Sequence, residues 1–281
     1  MRTALLLFVS GLCALNVTSS LKICAFNIQS FGEAKANNKK VMGILLKVIY
    51  CMCTMLRVQS FTGLKRAAMT NLFFFYVSER LGRNTYKEQY VYIYRSNVLT
   101  VKEQYQYHKL EEGTRETDAF SREPFIVRFH SPTTLLKDFV LIGQHTCPKT
   151  AMKEMDELYT VFNGIYKKWK NVMILGDLNA GCSYVTMKGW RAVRLRSDPK
   201  FHWLIGDEQD TTVRQKTHCA YDRIIVHGRE IIFSIVPGSA QPFNFKESFH
   251  LTEEEALEVS DHFPVEVDLK PNHRYLLRHE L

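Results

Sequence analysis

Cysteine is scarce in this chain: seven occur in 281 residues, too few for a cysteine-rich scaffold, so a hydrophobic core must supply most of the stability. Cys13 falls in the leader described below, Cys51 and Cys53 have no metal-type spacing, and Cys24 reads as a buried thiol in a first strand. After the leader no apolar run is long enough to span a bilayer, so no membrane partner is expected. Internal repeats, linkers and low-complexity tracts are also missing, which leaves one large domain as the expectation. Acidic residues are outnumbered, 29 against 37 Lys and Arg, for a net charge of +8 and a pI near 9.0. That balance favours polyanionic partners such as nucleic acid.

What is present begins with a leader. Arg2 gives a positive start, Ala4 to Val9 and Leu12 to Leu15 an apolar middle, and Thr18-Ser19-Ser20 a small-residue cleavage site, so residues 1–20 read as a secretory signal and the mature protein is expected to be secreted. The one glycosylation sequon, Asn16-Val-Thr18, would leave with it. Residues 21–270 read as one domain and 271–281 as a short tail. Its ending, Arg278-His-Glu-Leu281, loosely resembles an endoplasmic-reticulum retention signal, but export is the expectation. The 46% hydrophobic content of the whole chain provides for a sizeable core.

Strands are expected at 21–27, 90–94, 125–129, 138–142, 172–177, 231–236 and 265–269, with another between the first helix and residue 75. Helical spacing covers Lys35 to Tyr50, and a stripe of Met152, Met155, Leu158, Phe162, Ile165, Tyr166 and Trp169 predicts a helix over 151–169. Thr252 followed by Glu253, Glu254 and Glu255 predicts a capped helix start. Uneven alternation of strands and helices suits an α/β domain with mixed sheets.

The chain turns on Asn171-Val-Met-Ile-Leu-Gly-Asp-Leu-Asn-Ala-Gly-Cys-Ser183. A buried strand ends at Gly176, and Asp177 and Asn179 follow two apart where a strand meets a loop. Side by side, an acid and an amide suit Mg²⁺ or a phosphate; an Asx turn capping the strand accounts for the same residues. Matching groups recur where other strands should end: Asn27, Asp222, Asp261 and His262, with His145 and Glu88 as further candidates. Each has an ordinary structural reading. Together they supply what phosphodiester hydrolysis requires: neutralised phosphate, activated water and a protonated leaving oxygen.

Gly176-Asp-Leu-Asn-Ala-Gly181 with Ser260-Asp-His-Phe-Pro264 resembles the endonuclease/exonuclease/phosphatase superfamily. Leu21-Lys-Ile-Cys-Ala-Phe-Asn27, Leu81-Gly-Arg-Asn-Thr-Tyr-Lys-Glu88, Arg122-Glu-Pro124, Thr217-His-Cys-Ala-Tyr-Asp-Arg223 and Pro242-Phe-Asn-Phe245 narrow the resemblance to the secreted deoxyribonuclease I family. The run Leu251-Thr-Glu-Glu-Glu-Ala256 leans toward its gamma-type branch. The resemblance covers roughly residues 21–50 and 76–269 and implies a four-layer sandwich of two packed mixed β-sheets flanked by helices. It implies a monomer that cuts DNA, mainly double-stranded, to 5′-phosphate products with little sequence preference. His262, oriented by Asp222, would take a proton from water, and His145, oriented by Glu88, would protonate the leaving oxygen. Asp177, Asn179, Asp261 and Asn27 would hold Mg²⁺ (or Mn²⁺) and the phosphate. Arg83, Asn84 and Tyr86 match a loop that enters the minor groove, and Arg122 a phosphate-contacting arginine. Cys182 and Cys219 match a disulfide. Asp210, Thr212 and Thr217 match a structural Ca²⁺ site in part, and Asp118 and Glu123 part of another. Actin binding, known in the family, has no residue here to argue for it.

One departure bears on the metal. The family carries a glutamate ligand after Val-Gln at the end of the second strand; here the chain reads Arg57-Val-Gln-Ser60, with Gln59 or Ser60 at that place and no acid at either. The alternatives this opens are a catalytically impaired relative that binds DNA without efficient cleavage, and a non-enzymatic secreted binding protein. A smaller departure is Gly143-Gln144 before His145, where the family pattern has Pro-Leu.

Overall fold

The computed structural model describes residues 20–52, 55–58, 73–108 and 119–272. The leader up to residue 19, Gln59 and Ser60, Asp118, and the tail from residue 273 lie outside the described residues.

Strands are β1 (Leu21–Asn27), β2 (Met55–Val58), β3 (Phe73–Val77), β4 (Gln89–Arg95), β5 (Thr100–Gln106), β6 (Phe125–His130), β7 (Asp138–Gly143), β8 (Val172–Asp177), β9 (His202–Trp203), β10 (Asp222–His227), β11 (Gln241–Pro242) and β12 (Val265–Leu269). Helices are α1 (Glu33–Asn37), α2 (Lys39–Met52), α3 (Ala151–Tyr166), α4 (Met187–Ala192), α5 (Arg194–Ser197), α6 (Arg229–Ser234), α7 (Phe245–Ser248) and α8 (Glu253–Val259). They form two six-stranded sheets, ordered β11-β12-β1-β2-β4-β3 and β5-β6-β7-β8-β10-β9. Each sheet holds one parallel pair, β1 with β2 and β7 with β8, closed by helical crossovers; the other pairs are antiparallel.

Side-chain alternation builds the layers. On β1, Ile23 and Ala25 enter the core between the sheets, while Cys24 and Phe26 face Val41, Leu45 and Val48 of α2. On β8, Met173 and Leu175 face the other sheet, while Val172 and Ile174 meet Met155, Leu158 and Phe162 of α3. Both faces of the central strands are covered, which is why they read as continuous apolar runs rather than alternating ones. The result is the four-layer sandwich expected from the resemblance.

Four boundaries differ from the sequence reading. The expected 35–50 helix is two, broken at Asn38, whose side-chain oxygen caps the second by accepting from the backbone N–H of Lys40 and Val41. The expected 151–169 helix ends at Tyr166. Residues 231–236 are not a strand: α6 occupies most of them, because Ile231, Ser234 and Ile235 are spaced to bury one helical face. Only Ile235 bridges to Leu269. Finally, β3, β5, β10 and the two-residue β9 and β11 were not expected. β3 and β5 are edge strands; β5 alternates between exposed and half-buried residues and carries no apolar run, whereas β3 is an apolar run, Phe73-Phe74-Phe75-Tyr76-Val77, with no turn signal before it.

Gly228 starts α6 at φ +123°, and a Cβ there would lie 2.3 Å from the Lys170 carbonyl oxygen. Gly228→Ala is therefore expected to lower unfolding free energy by about 1–3 kcal/mol, read by denaturant titration, with little effect at the far end of β10. The Thr252 cap behaves as expected: its hydroxyl accepts from Glu255 N–H, and the Glu255 carboxylate accepts from Thr252 N–H.

Candidate active site

The topology delivers the polar groups to one edge. β1 ends at Asn27 and β8 at Asp177. Their antiparallel neighbours begin where they end: Asp222 at the start of β10 pairs with Asp177, and β12 begins at Val265 opposite Ala25, just after Asp261 and His262. β4 runs opposite to β2 and begins just after Glu88. β7, parallel to β8, runs out at Gly143 two residues before His145. Asp222 and Glu88 thus stand at strand beginnings rather than endings.

At that edge the sheets meet. Asn27 Nδ2 donates to Asp177 Oδ2 at 2.8 Å, from one sheet to the other. The same oxygen lies 3.4 Å from His145 Nε2 and 3.7 Å from His262 Nε2. Behind each imidazole stands a second carboxylate: Glu88 Oε2 is 2.9 Å from His145 Nδ1, and Asp222 Oδ2 is 2.7 Å from His262 Nδ1. All six residues are more than nine-tenths buried. Two carboxylate-backed imidazoles therefore turn their Nε2 atoms toward one acid.

Charge follows from this crowding. Burial alone would depress the His262 imidazole, but Asp222, Asp177 and Asp261 outweigh it and raise its pKa to about 10. Burial pushes Asp222 above the ordinary carboxylate range, against the pull of His262. Asp177, Asp222 and His262 also lie close enough to share an ion, their ligand atoms within 4.8 Å of one another. Asp222 is a poor candidate for that, because it is fully buried behind the imidazole it holds. The exposed side of the cluster is Asp261, whose Oδ2 accepts from Gln29 Nε2 at 2.9 Å and whose Oδ1 is 3.9 Å from His262 Nε2. Ser260 pins this corner: its hydroxyl donates to the Asn27 carbonyl at 2.6 Å and accepts from His262 N–H at 3.1 Å.

Asp177 shows both readings of its motif at once. Its Oδ1 accepts from Asn179 N–H at 3.0 Å, forming the Asx turn, while Oδ2 faces the histidines. Asn179 does not extend the strand. It sits at φ +46° and donates from Nδ2 to the Thr146 carbonyl at 3.0 Å, so it reaches the site by reversing the chain.

His145 is held by its backbone. Its N–H donates to the hydroxyl of buried Tyr90 at 2.8 Å. Arg122 donates from Nε to the His145 carbonyl and from Nη2 to the Thr146 carbonyl, each at 3.0 Å, and its Nε is 3.4 Å from Glu88 Oε2. Arg122 thus organises the histidine loop.

The 81–88 loop closes on the same group. Leu81 and Glu88 exchange backbone hydrogen bonds of 2.8 and 2.9 Å, which leaves Arg83, Asn84 and Tyr86 exposed at the tip. Arg83 Nη2 donates to the Phe120 carbonyl at 3.0 Å. Gly82 takes φ +131°, where a Cβ would press on the Tyr86 carbonyl oxygen at 2.8 Å. Cys182 and Cys219 form the expected disulfide, Cα atoms 5.7 Å apart, tying the loop after β8 to the approach of β10. Beside it, Asp210 Oδ1 accepts from the Thr212 hydroxyl and amide and from Cys219 N–H, Oδ2 is 2.9 Å from His218 Nδ1, and the Thr212 hydroxyl also reaches the Thr217 carbonyl at 2.6 Å. The Glu123 carbonyl accepts from Gln106 Nε2 at 2.9 Å.

No family model matches the chain. Curated proteins do. A deoxyribonuclease gamma of Mus musculus is 47% identical over 289 residues, covering 97% of this chain and 91% of that protein. The chain belongs to the deoxyribonuclease I family. A deoxyribonuclease-1 of Equus caballus is 41% identical over 279 residues, covering 95% of this chain and 98% of that one. Among solved structures, an endonuclease/exonuclease/phosphatase family protein from Bacteroides thetaiotaomicron superposes with a TM-score of 0.56 at 13% identity, covering 89% of this chain and 98% of that one; at that identity it shares the fold. Within the deoxyribonuclease I family, two features of this chain escaped sequence reasoning. Tyr90 was legible only as a strand aromatic, and Arg122 only as a phosphate contact.

Proposed function

We propose that this chain is a secreted, divalent-cation-dependent deoxyribonuclease that hydrolyses DNA phosphodiester bonds to 5′-phosphate products with little sequence preference. One observation carries the reading: His145 and His262, each backed by its own carboxylate, present Nε2 to the same oxygen of Asp177, at 3.4 and 3.7 Å. A phosphodiester placed there has a proton acceptor on one side and a proton donor on the other.

In this reading His262 Nε2 takes the proton of the attacking water while Asp222 holds Nδ1 and stabilises the charged ring. His145 Nε2 gives a proton to the leaving 3′ oxygen, with Glu88 behind it. Asp177, Asp261, Asn27 and Asn179 bring two carboxylates and two amides to one edge, oxygen donors that suit a hard cation such as Mg²⁺ or Mn²⁺; with Asp222, the two acids raise the His262 pKa to about 10. Bound there, the cation supplies positive charge that offsets the phosphate and relieves the pull keeping His262 protonated. Arg83, Asn84 and Tyr86 enter the minor groove and read its shape more than its sequence. The nitrogens of Arg122 not spent on the His145 loop remain for a phosphate. Asp210, Thr212 and the Thr217 carbonyl stand together beside the disulfide, oxygen groups that would hold Ca²⁺ as a structural ion. Secretion rests on the leader at 1–20, and action as a monomer on the resemblance; no helix of the described residues is long and apolar enough to cross a membrane.

The test is supercoiled-plasmid nicking by the purified mature chain. Nicking in Mg²⁺, abolished by chelator and restored by excess Mg²⁺ or Mn²⁺, is expected. Salt-sensitive DNA binding with no nicking at any metal concentration would overturn the reading.

A further inference from the structure

We propose that Glu154 is a positioning residue: its buried carboxylate fixes the 144–150 turn from behind and so sets where His145 stands. The proposal rests on the nuclease reading above for its effect on rate, and on geometry alone for its effect on His145.

Glu154 lies in the first turn of α3 and is fully buried, next to Met155 and Leu158 in the apolar stripe. A carboxylate there is costly unless its oxygens are met, and they are. Oε1 accepts from Thr150 Oγ1 at 2.7 Å and from Cys147 N–H at 3.2 Å, and Oε2 accepts from Gln144 Nε2 at 3.3 Å. Ser121 and the charge of Arg122 add to these, although burial still pushes the Glu154 pKa up.

The donors bracket His145: Gln144 precedes it and Cys147 follows two residues later. The two ends are also joined to the front of the site. Gln144 Nε2 donates as well to the Arg122 carbonyl at 3.1 Å, and the Arg122 side chain returns to the carbonyls of His145 and Thr146. Tyr90 and Asn179 hold the same segment through His145 N–H and the Thr146 carbonyl. The histidine backbone is thus clamped between Arg122, Tyr90 and Asn179 on the cleft side and Glu154 on the core side. Removing the core-side half leaves the turn free to shift, and a displacement of about 1 Å in a reacting group costs on the order of 10²-fold in rate.

The chain's own departure fits here. Gln144 is fully buried, where the family pattern has an apolar residue, and it spends both its donor contacts on this clamp while its Oε1 has no partner among the described residues.

Glu154→Leu, Glu154→Gln and Gln144→Leu, each compared with the wild-type chain, test this through plasmid-cleavage kinetics, thermal melting and the ring NMR signals of His145. Glu154→Leu is expected to lower kcat by about 10–100-fold with KM within about threefold, because binding groups are untouched. Glu154→Gln keeps an oxygen for Cys147 and Thr150 and should recover most of that loss. Gln144→Leu removes the contacts to Glu154 Oε2 and to the Arg122 carbonyl but leaves Oε1 with its donors, so it stays informative if Glu154→Leu does not fold, and should lower kcat several-fold. His145 ring signals should shift in Glu154→Leu or Gln144→Leu and return toward wild type in Glu154→Gln. If folded variants keep wild-type kcat and unshifted His145 signals, the proposal is overturned. If the wild type itself cuts no DNA, the nuclease reading fails, and the His145 signals still decide whether Glu154 positions the ring.

Discussion

Replacing His262 or His145 by alanine is expected to lower the rate of DNA cleavage by about 10²–10⁴-fold each, with DNA affinity close to wild type. Neither ring lies at the exposed tip that would meet the groove; both sit in a buried cluster around Asp177 Oδ2. Loss of either proton carrier should therefore appear in kcat. Because both act in one step, the double variant should fall much less than the product of the two single losses. His262→Ala carries a complication of its own. It leaves fully buried Asp222 without its 2.7 Å partner, and breaking a buried pair costs about 3–5 kcal/mol. His262→Gln keeps a donor toward Asp222, so a folded His262→Gln chain that retains wild-type kcat would rule His262 out as the proton acceptor. Single-turnover kinetics with melting curves on the same samples separate the two effects.

Asp177→Asn should have the second large effect, and on two observables. It removes the acid shared by the two imidazoles and by Asn27, so cleavage should fall by more than the roughly 10–100-fold that loss of an outer partner of a metal site costs. It also removes one of the charges that raise the His262 pKa to about 10. The linkage has a definite sign. A histidine whose folded pKa is raised stabilises the protein fully below its unfolded value of about 6.5, and that contribution is lost as pH climbs through the folded value. In chelator, wild-type stability should decline between about pH 6.5 and 10, by at most about 1.4 kcal/mol per pH unit for one proton. Asp177→Asn should shorten that window from its upper end, and the His262 ring signals should titrate at lower pH. Equal titration midpoints in the two proteins would contradict the charge cluster described here.

Much of this was legible because the site sits on short, dense sequence. Gly176-Asp-Leu-Asn and Ser260-Asp-His-Phe-Pro264 join buried strands to polar residues within a few positions, so both motif and register could be read. The pairing of Asp222 with His262 and of Glu88 with His145 came from the resemblance alone. Those partners are 40 and 57 residues apart, and only antiparallel strand starts bring them together. Asn179 reaches this edge by a route other than the one expected: strand alternation would set it beside Asp177, whereas a left-handed backbone turns it onto Thr146. Ile231 to Val236 misled because a short apolar run fits either period, and its three-to-four spacing was outweighed by its β-branched content. Glu154 was hidden by its setting. A helix stripe is read by its apolar members, and a buried acid among them becomes visible only with its donors.

The central claim is that one cleft activates water at the phosphorus and protonates the 3′ oxygen. Cleaving DNA in ¹⁸O-labelled water and analysing the new ends tests it most directly. The account predicts ends with 3′-hydroxyl and 5′-phosphate groups, with the label in the 5′-phosphate, and loss of that product in His145→Ala and His262→Gln. Ends bearing 3′-phosphate, or unlabelled 5′-phosphate, would contradict it.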